Sequence, residues 1–277
     1  MDLVFDVGNT ETVVGLFAGE TLRAQWRLGS FQHRTPDEYG LALRSFLHFE
    51  GFDARRVRCA TIGSVVPALN GILTEACARF FRLEALSITP RTPLPIRLEV
   101  DEPMSVGADR IVNTLAASVL FHTDSIVVDL GTATTYDCVT AEGAFIGGVI
   151  APGVRTAAER LTERTAKLPR VELLVPSTVI GKRTETNLQS GIFYNAVDAI
   201  DGMIDRIRAE WQRPAALVVA TGGLAPMIAA HCRTVERIEP TLTLQGLRLA
   251  REYLDGRGRW AASAVAAAPA AADATHP

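Results

Sequence analysis

The chain has 277 residues, 48% of them hydrophobic and 21% charged, with a formal net charge of -3. That balance gives a nucleic acid or an anionic membrane no basic patch to bind, and no apolar run approaches the ~20 residues that span a bilayer. Cys59, Cys77, Cys138 and Cys232 are scattered without paired spacing, which excludes a disulfide or zinc framework and points to buried thiols in a reducing compartment. Cytoplasm is the expected location, since the chain enters a strand almost at once with no basic leader.

Leu3-Val4-Phe5 reads as a buried strand, and Asp6-Val7-Gly8-Asn9-Thr10 follows it. Gly8 permits a tight turn with no Cβ beside a ligand, and successive N–H groups in such a turn make an anion site. Asp6 at the strand end is placed to support Mg²⁺, directly or through water. Thr12 to Phe17 and Leu22 to Leu28 read as two further strands, joined at Ala18-Gly19-Glu20. Thr35-Pro36-Asp37-Glu38 opens a helix with a cap, a proline at its first position and two acids for its dipole. Tyr39, Leu43, Phe46 and Leu47 share one face of it, and Gly51 ends it. A strand from Val57 to Ile62, a helix carrying Leu69, Leu73 and Cys77, and a strand from Leu86 to Ile88 complete a first half.

The proline-rich stretch from Pro90 to Pro103 reads as a connector. Gly107-Ala108-Asp109-Arg110 then opens an apolar helix through Ile111, Leu115 and Val119. An acid at a helix start suits the dipole and the arginine suits solvent, so plain structure explains the motif as well as a general base beside a cation does.

The second half repeats the first. Ile126-Val127-Val128-Asp129-Leu130-Gly131-Thr132 restates the strand, acid, glycine and small polar residue. Thr135 to Thr140, a turn at Ala141-Glu142-Gly143 and Ala144 to Ile150 restate the two following strands. An Asp-x-Gly-Asn turn alone is common, whereas a duplicated three-strand unit is hard to obtain by chance. Gly147-Gly148 through Gly153 leads into a helix from Val154 to about Thr165, where close ligand approach and a tight packing corner are equally served. Val175 to Thr186 reads as irregular, with Gly181-Lys182-Arg183-Thr184 an exposed loop. Asn187 to Trp211 is a long helix whose stripe of Ile192, Ala196, Ile200, Met203, Ile204 and Ile207 suits core or a dimer interface. Ala216 to Ala220 is a buried strand ending in Thr221-Gly222-Gly223, followed by a helix, a strand at Val235 to Ile238 and a last helix over Leu242 to Leu254. The expected division is 1–122, 123–256 and an alanine-rich, disordered tail, 257–277.

Two halves that each begin with a meander and an Asp-x-Gly turn resemble the actin, sugar-kinase and heat-shock-ATPase superfamily. The resemblance covers residues 1 to about 255 and implies an α/β fold of two ribonuclease-H-like halves with ATP in the cleft between them. More narrowly the chain resembles type III pantothenate kinases. Five motifs agree in order and spacing: Asp6-x-Gly8-Asn9-Thr10, Gly107 to Arg110, Asp129-Leu130-Gly131-Thr132-Ala133-Thr134-Thr135, Gly147-Gly148-x-Ile150-x-Pro152-Gly153, and Thr221-Gly222-Gly223. Gly181-Lys182-x-Thr184 followed by Gln189-Ser190-Gly191 also matches.

That resemblance implies ATP-dependent phosphorylation of pantothenate, the first step of coenzyme A synthesis. It implies ATP contacts along Asp6, Val7, Gly8, Asn9, Thr10, Glu11, Thr12 and Val13, with further contacts from Thr132, Gly222 and Gly223. It implies Mg²⁺ held by Asp6 through water and a monovalent cation, K⁺ or NH₄⁺, on Asp129. Pantothenate is expected against Gly107, Ala108, Asp109 and Arg110, with Asp109 as proton acceptor. Thr184 is expected to reach that pocket across a homodimer interface. Val100 stands where many relatives carry a tyrosine that lines the pocket, and Glu11 adds negative charge to a phosphate turn. Two other readings use the same fold: an idle nucleotide-binding regulator, which the retention of Asp6, Asp109 and Asp129 disfavours, and another phosphotransferase or phosphohydrolase, which would release ADP without pantothenate.

Overall fold

The computed structural model describes residues 1–31 and 33–257, so the expected tail lies outside the described residues apart from Arg257. The chain forms two compact units. The first comprises Met1–Leu120, Glu142–Phe145 and the chain from Thr243, and the second comprises Phe121–Ala141 and Ile146–Leu242.

The first unit opens with β1 (Asp2–Val7), β2 (Glu11–Ala18) and β3 (Thr21–Gly29). There follow α1 (Pro36–Phe49), β4 (Cys59–Ser64), α2 (Pro67–Phe81), β5 (Ala85–Ile88), β6 (Arg97–Leu98) and α3 (Ala108–Phe121). The five-stranded sheet runs β3-β2-β1-β4-β5, antiparallel through the meander and parallel from β1 onward. Period-two alternation sends Leu3, Phe5 and Val7 into one cluster with Leu16, Ile62 and the inner faces of α1 and α2, where Tyr39, Leu43, Leu47, Leu69 and Leu73 are fully or almost fully buried. Each such side chain contributes about 1.5–3 kcal/mol relative to exposure. The start of α1 is fixed as expected. The Thr35 hydroxyl accepts from the Glu38 N–H at 3.3 Å, while the Glu38 carboxylate accepts from the Thr35 N–H at 2.7 Å.

The second unit has the same plan. It contains β7 (Ser125–Leu130), β8 (Ala133–Val139) and most of β9 (Ala144–Pro152). It continues with α4 (Val154–Glu163), α5 (Thr184–Trp211), β10 (Leu217–Thr221), α6 (Ala225–Ile228) and β11 (Arg237–Ile238). Its strands lie in the order β9-β8-β7-β10-β11, with β7 and β8 antiparallel and β7, β10 and β11 parallel. Strand for strand this is the order of the first sheet, so the repeat seen in the sequence is a repeat of topology. Phe193, Val197, Ile200 and Ile204 of α5 pack on Ile126, Val128, Val218 and Ala220, which places most of the α5 stripe in the core of this unit.

Four local expectations need correction. The Pro90–Pro103 connector contains β6, which pairs with Ala144–Phe145. A two-residue strand fixed by a distant partner leaves no local period to read. Helix α5 starts at Thr184, three residues early, because its N-cap is the backbone of Arg183 and its first turn is polar. The helix expected after Gly223 is a single turn, α6. Finally, α7 (Leu242–Leu254) packs in the first unit from Thr243 on: a Cβ on Gly15 would lie 3.2 Å from Leu244, and one on Gly63 would lie 2.9 Å from Leu247. Among the described residues, no helix is long and apolar enough to cross a membrane.

Candidate active site

In the first unit the phosphate-type turn and the Gly-Ala-Asp-Arg motif meet at the ends of two neighbouring parallel strands. Asp6 of β1 lies beside Gly63 of β4 in the register, and the N–H of Val65 just beyond donates to the carbonyl of Val7 at 3.1 Å. The Gly8 N–H donates to the Glu11 carbonyl at 3.0 Å, closing the turn, and a Cβ on Gly8 would sit 3.1 Å from that same oxygen. Asn9 and Thr10 are exposed at the tip. Thr12 is fully buried and its hydroxyl shares a 2.9 Å hydrogen bond with Ser30, so its side chain braces the turn and leaves ligand contact to the backbone. Val7 is core and Val13 half-buried. The charge of Glu11 is met by Arg27 at 2.8 Å, an exposed pair that offsets the anion in the turn.

Val65 also borders the second motif, since a Cβ on Gly107 would come within 3.3 Å of its side chain and would collide with the Asp109 carboxylate. Glycine at 107 therefore gives the carboxylate its space. Asp109 stands in the first turn of α3, and its Oδ1 accepts from the Arg110 N–H at 2.8 Å. Burial raises its pKa above the ordinary carboxylate value, opposed by that backbone bond and by the Arg110 charge. A desolvated, basic carboxylate on a rigid helix is what proton acceptance requires. The Arg110 guanidinium lies over the Phe145 ring, 4.8 Å from its centroid. Gly246 of α7 makes the close crossing onto this helix, where a Cβ would strike the Val112 carbonyl. Val100 lies two residues beyond β6 and is half-buried.

In the second unit, Asp129 ends β7 beside Thr221 of β10. Gly222 follows with φ of +89°, a left-handed conformation, and a Cβ there would strike the Asp129 carboxylate and lie 2.7 Å from the Leu130 nitrogen. The glycine turn and the acid are thus a single packed feature, reinforced by the Leu224 N–H donating to the Leu130 carbonyl at 3.3 Å. Gly153 plays the matching part on the other side. A Cβ there would collide with the Thr132 carbonyl, which accepts from the Thr156 hydroxyl at 2.8 Å. Gly223 is exposed. Thr184 opens α5 in an exposed position, and none of these bonds reaches it or Val100. Among the described residues, no group of three or more His, Cys, Asp or Glu side chains forms a metal cage. Phe145 and Arg27 were absent from the sequence reading, because nothing local marks an aromatic or an arginine as the partner of a distant residue.

The paired meanders with an acid-glycine turn at the end of each first strand give the α/β fold of two repeated halves found in actin-like ATPases and sugar kinases. The fold is like that of a candidate 2-dehydro-3-deoxygalactonokinase from Sinorhizobium meliloti, with a TM-score of 0.55 at 10% identity, covering 95% of this chain and 99% of that one. The chain belongs to the type III pantothenate kinase family, whose model matches residues 2–206. It is 45% identical to the type III pantothenate kinase of Moorella thermoacetica over 91% of this chain and 99% of that protein. It is 41% identical to that of Geobacter sulfurreducens over 91% and 98% respectively. It is a kinase that phosphorylates pantothenate to 4'-phosphopantothenate with ATP, the first step of coenzyme A biosynthesis.

Proposed function

We propose that Asp109 is the general base of this reaction and that the motifs around it divide the substrates between them. The pantothenate hydroxyl sits against Gly107, Ala108, Asp109 and Arg110, with Val100 forming part of the wall. As its oxygen bonds to the γ-phosphorus, the bond from phosphorus to the β–γ bridging oxygen breaks, ADP leaves with that electron pair, and the hydroxyl proton passes to Asp109. Backbone donors of the turn from Asp6 to Val13, together with Thr132, hold the ATP phosphates, and Gly222 and Gly223 hold the adenosine. Such preorganised donors supply much of the stabilisation in phosphoryl transfer. The observation that carries the reading is Asp109 itself: partly buried, its pKa raised by desolvation, and set beside Gly107, whose neighbour Val65 donates its N–H to Val7 at the head of the phosphate-type turn.

The carboxylates present suit hard cations. Asp6 would hold Mg²⁺ through water, and Asp129, beside the backbone of Leu130 and Gly222, would hold K⁺ or NH₄⁺. These ions would offset phosphate charge. An all-protein cage is not needed for that, so the lack of a side-chain cage among the described residues is compatible with single carboxylates completed by water and phosphate oxygens. We also read the protein as a homodimer. An apolar groove of about 410 Å³ runs between α4 and α5, lined by residues that include Val154, Ala157, Leu161, Leu188, Ile192 and Ala199. A second α5 would cover it, and the partner's Thr184 is the residue the family resemblance assigns to the pantothenate pocket. All four cysteines are buried, which suits the cytoplasm.

The test is ADP release from MgATP with and without pantothenate, in K⁺ and again in Na⁺. ADP formed only with pantothenate and faster in K⁺, with the K⁺ response lost in Asp129→Ala, supports the reading. ADP formed without pantothenate, or a rate indifferent to the cation, overturns the corresponding assignment.

A further inference from the structure

Arg34 belongs to no motif of the site, yet the segment that carries it, between β3 and α1, is built against the phosphate-type turn. In the β2–β3 register Gly29 lies opposite Glu11, so β3 ends beside that turn. The pairing continues one step further. The Ser30 N–H donates to the Thr10 carbonyl at 3.0 Å, and the Ser30 hydroxyl shares the 2.9 Å bond with Thr12. Phe31 folds back on Gly29, where a Cβ would strike its ring, and the Tyr39 hydroxyl donates to the Gly29 carbonyl at 3.2 Å. The Arg34 guanidinium lies over both rings, 5.2 Å from the Phe31 centroid and 5.7 Å from that of Tyr39. All of these residues belong to the first unit.

The neighbouring charges have partners of their own. Arg27 pairs with Glu11 and Arg79 with Asp37. Glu38 lies within electrostatic reach of Arg34, but its carboxylate accepts from the Thr35 N–H and hydroxyl at 2.7 and 3.0 Å. Among the described residues the Arg34 guanidinium forms no hydrogen bond or ion pair, and aromatic faces seat it. A ring face attracts a guanidinium through its quadrupole without consuming N–H donors, so charge and donors stay available to an anion. Phe31 is 60% exposed and Arg34 half-buried, which leaves the seat open to a soluble ligand. Residues 1–120 contain no lysine, so a permanent side-chain cation offered to a phosphate from this stretch is an arginine.

We infer that Arg34 is a further phosphate-binding residue, donating to the terminal phosphates of MgATP held by the neighbouring turn. The inference rests on the reading of the turn from Asp6 to Val13 as the ATP phosphate site. Arginine meets phosphate as a planar, charged fork, and a cation there offsets the charge that passes to the leaving ADP. Its contribution therefore grows with the number of phosphates on the nucleotide. An arginine that only packs on two rings makes no such distinction.

The experiment compares the full-length enzyme with Arg34→Met, which keeps the apolar stem, with Arg34→Lys, and with Gly8→Ala as a probe of the turn. The readouts are the KM values for MgATP and pantothenate, the inhibition constants of MgADP and AMP, and the melting temperature. In Arg34→Met the KM for MgATP rises about tenfold or more, inhibition by MgADP weakens less, and AMP, the pantothenate KM and the melting temperature are unchanged. Arg34→Lys recovers part of the loss. An unchanged MgATP KM in Arg34→Met, alongside a raised one in Gly8→Ala, overturns the inference and leaves the reading of the turn intact. An unchanged MgATP KM in both variants overturns both. A loss as large for AMP as for MgATP makes Arg34 structural and also overturns the inference. Should Arg34→Met fold poorly, Arg34→Gln carries the same comparison.

Discussion

Replacing Gly222 by alanine tests whether the second glycine turn is built around Asp129. Two costs arise at this position. The residue has φ of +89°, which costs an L-amino acid about 1–2 kcal/mol. The new Cβ would also strike the Asp129 carboxylate and lie 2.7 Å and 2.8 Å from the Leu130 nitrogen and carbonyl carbon. Those last two atoms are backbone next to the β7–β10 pairing at Asp129 and Thr221, so the clash cannot be relieved by a rotamer change. Overpacking of this sort adds about 1–3 kcal/mol, for a sum of roughly 2–5 kcal/mol. At about 2–4 °C per kcal/mol this lowers the melting temperature by roughly 4–20 °C. Gly19→Ala is the control: its φ is +61°, but no atom lies within 4 Å of the added Cβ, so only the conformational cost remains. Thermal melts and K⁺-dependent kinetics of both variants decide the issue. Gly222→Ala loses more stability than Gly19→Ala and also loses K⁺ response, because Asp129 must move. Equal melting temperatures with full K⁺ response in both would refute the packing argument.

Two further outcomes follow from local features. Thr35→Ala removes one half of the capping box of α1 and costs about 0.5–2 kcal/mol in a melt, with kcat and both KM values unchanged. Asp201 is partly desolvated, but its carboxylate accepts from the Thr234 hydroxyl at 2.6 Å and from the N–H groups of Thr234 and Arg233 at 2.9 and 3.0 Å, and its pKa is lowered overall. A depressed carboxylate pKa contributes stability above the unfolded value near 3.8, lost as pH falls through the folded one. Wild-type protein should therefore melt above Asp201→Asn at neutral pH, with the difference closing below about pH 4; a gap that persists in acid would contradict the carboxylate's role.

The sequence carried the repeat because each meander is written in short-range pattern: alternating apolar residues, Ala18-Gly19-Glu20 and Ala141-Glu142-Gly143 at the turns, and an acid-glycine pair after the first strand. The helix start at Thr35 was legible for the same reason, since cap and acid lie within one turn. What escaped it depends on residues far apart in the chain. The amphipathic pattern of α7 identifies a helix but not the sheet on which it packs, and β6 exists only because Ala144–Phe145 lies alongside. The start of α5 was late because Thr184-Glu185-Thr186 presents no apolar period. Within the site, each glycine motif was visible, whereas the contact of Gly222 with Asp129 and the seat of Arg110 on Phe145 required the fold.

The central claim is that Asp109 takes the hydroxyl proton, and Asp109→Asn examines it directly. The raised pKa supplies the sign of the stability change: a carboxylate whose folded pKa lies above its unfolded value costs stability as pH rises through that window. The amide should therefore fold at least as stably at neutral pH. The measurement is single-turnover phosphorylation of pantothenate, with the affinities for pantothenate and MgATP determined by calorimetry on the same preparation. The account predicts near-normal binding of both substrates and turnover lowered by roughly 10²-fold or more, equivalent to at least about 2.7 kcal/mol in the barrier. A folded Asp109→Asn enzyme that binds both substrates and turns over at the wild-type rate would contradict it.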